Sequence, residues 1–320
     1  MVSLVVPVFN EAEVLPELQR RIASNLGPLE GGYEVVYVDD GSTDHSVELI
    51  EQLAKNNDNV VLVQLSRNFG MEIAMSAGLD HAVGDYVVLM HADLQDPPEL
   101  VPQMLEEADK GADVVFARRI GREESALKKF LALIFYTLMK HLARVPYQGQ
   151  AGDFRLMSRR VVEALRQMPE RRRFVRGMVS WVGFRQEPIE YRRAGRAGGR
   201  GASYRELFRL AAEAMASFSD VPLNLATYLG LFAATLSGAG ALVTFALTLL
   251  QVIDTSTEIW ILVAVLFLGG VQLISVGILG RYLARVHEES LKRPLYLVDR
   301  VVASKERVAD SIADRPPARL

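Results

Sequence analysis

The run from Asp85 to Glu99, DYVVLMHADLQDPPE, joins an apolar stretch to a polar turn whose side chains could do chemistry. Tyr86–Met90 is apolar without alternation and reads as a buried strand. Behind it stand His91, Asp93, Gln95 and Asp96, followed by Pro97 and Pro98, which suit the first turn of a helix. Polar groups just past the C-terminal end of a parallel strand lie where open α/β sheets bind ligands. A carboxylate flanked at i±2 by His and Gln can hold a divalent cation against a phosphate. The plainer alternative is a capped loop whose acids only accept backbone N–H bonds, and the turn alone leaves both open.

The elements around this turn alternate. Strand-like runs fall at Ser3–Val8, Glu34–Val38, Val60–Leu65, Asp85–Met90 and Asp113–Ala117. Helix-like stretches fall between them at Glu11–Asn25, Asp44–Lys55, Met71–Ala82 and Pro98–Ala108. The pattern predicts an α/β domain with a Rossmann-like, mostly parallel sheet and helices on both faces. Its loops then share one edge: Pro7–Glu11, Asp39–Asp44, Ser66–Gly70 and the His91–Asp96 turn. Each loop has a local explanation, such as Asp44 capping a helix or Asp40-Gly41 making a turn. Four on one edge, mixing carboxylates with Arg67, favour a shared site. Neither G-x-x-x-x-G-K-[ST] nor G-x-G-x-x-G occurs, so phosphates would be held by a cation and Arg.

The 320 residues carry a net charge of −3 and no cysteine, which excludes disulfides and thiolate metal sites. No basic region followed by an apolar core opens the chain, so no signal peptide is expected. The average conceals a partition. No charged residue lies between Asp220 and Asp254, a run of 33, or between Glu258 and Arg281, a run of 22. Each exceeds the roughly 20 residues that cross a bilayer as a helix. Residues 171–209 hold eleven Arg against three Glu, while the loop Asp254–Glu258 has no Lys or Arg. That asymmetry predicts a hairpin with both ends in the cytoplasm and the short loop outside.

The motifs beyond the turn carry a resemblance. The segments are Val5-Val6-Pro7-Val8-Phe9-Asn10-Glu11, Val38–Asp44 (VDDGSTD), Leu65–Gly70 (LSRNFG), Ala92–Glu99 (ADLQDPPE), Gly152–Leu156 (GDFRL) and Arg173–Gly177 (RFVRG). They resemble, in order, the family 2 glycosyltransferases of the GT-A fold, and more narrowly the polyprenyl-phosphate hexose transferases. The resemblance runs from residue 2 to about 300 and is specific for the subfamily but not for the sugar. It implies a nucleotide-sugar site of Pro7, Phe9, Glu11, Asp39, Asp40, Arg67, Ala92 and Arg200, with Asp39 facing the base and Arg67 near the diphosphate. It implies Mg²⁺ or Mn²⁺ on Asp93 and Gln95, and catalytic roles for Asp93 and for Asp153, the family acid near the sugar. Relatives also imply a homo-oligomer such as a tetramer.

Two departures stand out. His91-Ala92-Asp93 replaces the usual Asp-x-Asp. His91 is then either a third metal ligand or a neighbour that bonds to ribose or another side chain. Gly201-Ala202-Ser203-Tyr204 lacks the Lys of Gly-x-Ser-Lys-Tyr, and Arg200 is near enough in sequence to replace it.

Arg118, Arg119, Arg122 and Lys128 rim an apolar stretch, Phe130–Met139, which fits a helix of about 123–143 lying in the membrane interface and offering an acceptor-phosphate site. Residues 201–220 repeat the pattern. The expected organisation is a catalytic domain over 1–200, the interfacial helix 201–220, spans of about 223–253 and 259–281 within 221–286, and a C-terminal segment with a loose tail over 287–320. The implied reaction is inverting transfer of a hexose, glucose from UDP-glucose, to undecaprenyl phosphate at the cytoplasmic face of the inner or plasma membrane. The partners are a nucleotide-diphosphate sugar, a polyprenyl phosphate and the membrane, with nucleic acid excluded by the adjacent spans. Three rivals remain: GDP-mannose with a dolichyl-type acceptor, a processive synthase, and an idle membrane scaffold. The synthase is disfavoured because Gln-x-x-Arg-Trp is absent.

Overall fold

A computed structural model describes residues 1–119, 151–171, 173–191, positions among 228–250, and 257–303. The chain divides into two compact units. The first takes in the residues up to Tyr136, Val145–Gly201 and the segment from Arg293.

Its described part opens with β1 (Val2–Val8), α1 (Leu15–Leu26), β2 (Tyr33–Asp39), α2 (Ser46–Asn56), β3 (Val60–Leu65), α3 (Met71–His81) and β4 (Tyr86–Leu89). A 3-10 turn at Pro98–Leu100 leads into α4 (Val101–Asp109). Then come β5 (Val114–Arg119), β6 (Ala151–Ser158), α5 (Arg159–Gln167), α6 (Val175–Trp181) and β7 (Gln186–Tyr191). The second unit contains α7 (Thr257–Ser290), and the chain returns to the first unit as β8 (Val298–Val302).

The eight strands form one sheet in the order β7-β5-β6-β4-β1-β2-β3-β8. β1 pairs in parallel with both β2 and β4, and β2 with β3. All seven residues of β1 and of β2 are buried, as strands covered on both faces must be. One face packs Leu15, Leu18 and Ile22 of α1, Ile50 of α2 and Met104 of α4 against Leu4, Val6 and Tyr37. The other packs Met75 of α3, Val162 of α5 and Val179 of α6 against Val5, Val36 and Val87. The buried positions of α1, Leu15, Leu18, Gln19, Ile22 and Leu26, follow the helical period that makes one apolar stripe.

The expected mostly parallel sheet is corrected to a mixed one. β6 enters between β4 and β5 and pairs antiparallel with both, and β8 pairs antiparallel with β3. A strand inserted beside β4 moves β5 one place outward, where it pairs in parallel with β7. β8 lies within the C-terminal segment expected over 287–320.

The second unit supplies one described helix, α7, long and apolar enough to cross a membrane by length and composition, over Phe267–Ser290. Described positions between 228 and 249 are helical. The interfacial helices expected at 123–143 and 201–220 lie outside the described residues.

Candidate active site

The loops beyond β1, β2 and β3 are clasped to one another. Asn10, with φ 57°, accepts the Thr43 N–H at 2.8 Å through Oδ1, while its own N–H bonds Ser42 Oγ at 3.0 Å. Asp40 is buried and accepts the Phe69 N–H at 2.7 Å and the Gly70 N–H at 2.9 Å, one on each oxygen. Burial pushes its pKa up, against the two N–H bonds that favour its charge. Gly41, at φ 76°, lies so close to the Arg67–Asn68 backbone that a Cβ would sit 2.6 Å from Asn68 N. Asp39, buried at the end of β2, accepts the Ser42 N–H at 3.1 Å.

Around these contacts the expected nucleotide residues differ in exposure. Phe9 stands 47% exposed beyond β1. Arg67 is exposed, with its guanidinium 4.0 Å over the Phe69 ring. Pro7 is buried within β1, Glu11 is half-buried, and Ala92 is buried beyond β4. The fold thus brings the expected nucleotide residues of the first four loops to one edge. Arg200 lies outside the described residues.

The turn after β4 is held by its own acids. Asp96 Oδ2 accepts the His91 N–H at 3.1 Å, and Asp93 Oδ1 accepts the Gln95 N–H at 3.1 Å. Leu94 between them has φ 59°, a left-handed conformation that L residues seldom adopt and that clusters at functional turns. The plainer alternative therefore holds in part, since these acids do accept backbone N–H bonds.

β6 places Asp153 opposite this turn. Arg176 of α6 grips it with two parallel bonds, Nε to Oδ1 at 3.0 Å and Nη2 to Oδ2 at 2.7 Å. The imidazole Nε2 of His91 is 3.4 Å from Oδ2. Burial raises the Asp153 pKa, but the His91 contact with the Arg176 and Arg155 guanidiniums outweighs it and holds the carboxyl far below the usual range. For His91, burial lowers the pKa, yet the bond to Asp153 and the carboxylates of Asp96 and Asp93 outweigh it and the net shift is upward. The imidazole thus faces a carboxylate at 3.4 Å, a contact that favours its protonated form.

Among the described residues, no three His, Cys, Asp or Glu side chains converge as a metal cage. Asp93 and Gln95 offer hard oxygen donors, and a site with a single carboxylate fits a cation that shares substrate phosphate oxygens and keeps waters. Of the acceptor-phosphate candidates, Arg118 forms an exposed cross-strand pair with Glu190 at 2.6 Å, and Arg119 contributes its backbone to β5. Arg122 and Lys128 lie outside the described residues. Arg176 and Glu72 were given no role by the sequence reading. RFVRG marked the first as a matching segment, but no spacing links it to an acid 23 positions earlier.

A doubly wound sheet with carboxylates and a guanidinium gathered beyond its parallel strands has the architecture of a nucleotide-dependent α/β enzyme. The chain belongs to glycosyl transferase family 2, whose family pattern matches residues 3–166. It is 42% identical over 298 residues to an uncharacterized glycosyltransferase of Synechocystis, covering 92% of this chain and 94% of that one. It is 42% identical over 308 residues to the bactoprenol glucosyl transferase of Shigella phage SfV, covering 93% and 97%. A prophage bactoprenol glucosyl transferase homolog of Escherichia coli is 40% identical over 306 residues, covering 94% and 99%.

Proposed function

We propose that the protein transfers glucose from UDP-glucose to a polyprenyl phosphate, undecaprenyl phosphate in a bacterium, at the cytoplasmic membrane face. The observation that carries this reading is the similarity to a bactoprenol glucosyl transferase over 93% of the chain, which spans the apolar region as well as the catalytic unit.

In the reaction, an oxygen of the acceptor phosphate attacks the anomeric carbon. The bond from that carbon to the β-phosphate oxygen breaks, and UDP leaves with the electron pair. Attack opposite the leaving group inverts the centre, through an oxocarbenium-like state. The acceptor is a phosphate largely ionised near neutrality, so no base is needed to activate it. Asp153, held ionised by Arg176 and His91, is then a poor proton acceptor and a good source of fixed negative charge beside the developing cation. Phe9, Asp39 and Glu11 hold the nucleoside, and Arg67 lies along the diphosphate. Asp93 and Gln95 hold Mg²⁺ or Mn²⁺, which when bound offsets charge on the departing diphosphate. Arg118, Arg119, Arg122 and Lys128 receive the acceptor phosphate.

The membrane arrangement is part of the proposal. β8 follows α7 and pairs with β3, so the segments before and after the apolar region belong to one sheet. A sheet cannot lie on both sides of a bilayer, so the chain between must cross an even number of times. α7 supplies one crossing, and the uncharged run of residues 221–253 is long enough for the other. Flanking basic residues put the catalytic unit in the cytoplasm. The small residues along the spans fit close helix packing in a homo-oligomer such as a tetramer.

The test is a panel of labelled nucleotide sugars, with the purified protein and undecaprenyl phosphate in detergent. A glucosyl-phosphoryl lipid formed from UDP-glucose is expected. Preference for GDP-mannose, or no transfer from any donor, would overturn the assignment.

A further inference from the structure

Glu72 lies in the first turn of α3, on none of the four loops at the sheet edge. Its Oε2 accepts the Val175 N–H at 2.8 Å, across 103 residues of chain. Val175 is the first residue of α6, where an N–H has no partner within its own helix, so Glu72 caps one helix from another. The next residue is Arg176, whose guanidinium forks onto Asp153. Upstream, Gly70, with φ 99°, caps the start of α3, and its N–H is held by Asp40. A continuous line of contacts therefore runs from the clasped loops beyond β2 and β3, along the start of α3, through Glu72 and Val175, to the acid opposite His91.

We propose that Glu72 is a positioning residue for the transfer reaction: by holding the Val175 N–H it sets the backbone from which Arg176 reaches Asp153. The inference rests on the transfer reading above, and it extends that reading to a side chain on none of the four loops at the sheet edge. Two other roles are open to a carboxylate in this place. It could tie α3 to α6 for stability alone. It could instead act through its charge, since Asp153, Arg176 and Arg155 lie near enough to interact with it. The three roles differ in what they require: reach, mere attachment, or ionisation.

Two substitutions separate them. Glu72→Gln keeps the length and an acceptor oxygen but removes the charge. Glu72→Asp keeps the charge but withdraws the oxygen by one methylene. Positioning predicts that Glu72→Gln keeps kcat within about threefold. It predicts that Glu72→Asp loses about tenfold to 100-fold in kcat, as sub-ångström misplacement of reacting groups does, with KM for UDP-glucose little changed. The reverse ranking makes the charge the active feature and overturns the proposal, as do equal losses or two fully active variants.

Hydrogen exchange over residues 174–177 supplies a readout free of turnover. It should stay slow in Glu72→Gln and quicken in Glu72→Asp. A wild-type protein that makes no lipid product overturns the transfer reading. Unaltered exchange in Glu72→Asp overturns the positioning of Val175 whatever the wild type does.

Discussion

Asp153 carries its charge between a guanidinium and an imidazole, and that setting decides the role open to it. An acid so stabilised in its ionised form gives up catalysis by proton transfer and keeps catalysis by field. Asp93 has a different surrounding, in a turn built to present it. Asp93→Asn keeps an acceptor for the Gln95 N–H but removes the carboxylate a cation requires. We expect kcat to fall by about 10²-fold or more with folding intact, and apparent Mn²⁺ affinity to weaken. Near-wild-type turnover by a folded Asp93→Asn protein would remove the metal from this turn. Asp113 gives a second, purely structural, test. Its hydrogen bonds from Arg160 Nε and Nη2, with the Ser158 hydroxyl, outweigh burial and lower its pKa. A carboxylate depressed in the folded state adds stability above its unfolded pKa, about 3.9, and loses it as pH falls through the folded value. The gap in thermal midpoint between wild type and Asp113→Asn should therefore be full at pH 7 and shrink below about pH 4. A gap that is constant across that range would show that the pair contributes through shape alone.

At the scale of elements, legibility followed the periodicity. β1 to β4 and α1, α2 and α4 were readable because each strand is mostly apolar and each of these helices buries one stripe, whereas α3 is buried at every position from Ala74 to Leu79. β6 was not, because Asp153 and Arg155 interrupt its apolar run at the two places where the site needs polar groups. β7 was missed because it is an edge strand, QEPIEY, with a proline and alternating polar residues. The site divides the same way. Residues on loops after readable strands could be named as candidates, whereas the Arg176–Asp153 and Glu72–Val175 contacts join segments that no local pattern links. One element-level contact is severe enough to test the packing directly. A Cβ on Gly78 of α3 would press into Val5 Cγ1 and lie 3.1 Å from Val38 Cγ2, so the helix sits on β1 and β2 with no room for a methyl. Alanine has the better helix propensity, by about 1 kcal/mol, yet overpacking of this kind costs about 1–3 kcal/mol. We expect Gly78→Ala to lower the thermal midpoint in detergent. A rise would mean that propensity wins and that α3 can shift off the sheet.

At the scale of the whole molecule, the return of the chain into its first sheet is the fact with the widest consequence. Beyond α7, Ser66 N–H bonds Leu297 O at 2.9 Å, Tyr296 OH bonds Asp80 at 2.9 Å, and β8 completes the sheet edge beside β3. β8 thus replaces the six-residue β3 as the sheet edge with a strand of five residues, and short edge strands offer less unpaired backbone for association. The same pairing makes topology testable through parity. The chain has no cysteine, so each introduced thiol reports one position without background. Asp58→Cys lies before the apolar region and Asp299→Cys lies in β8, both exposed. Ser256→Cys lies between the two uncharged runs of the sequence. Two crossings with a cytoplasmic catalytic unit predict that a membrane-impermeant maleimide labels only Ser256→Cys in spheroplasts. Asp58→Cys and Asp299→Cys should label only after permeabilisation. Labelling of Asp58→Cys and Asp299→Cys from outside, with Ser256→Cys protected, would invert the orientation and keep the parity. Opposite behaviour of Asp58→Cys and Asp299→Cys would break the parity, because strands paired through one sheet cannot face two compartments.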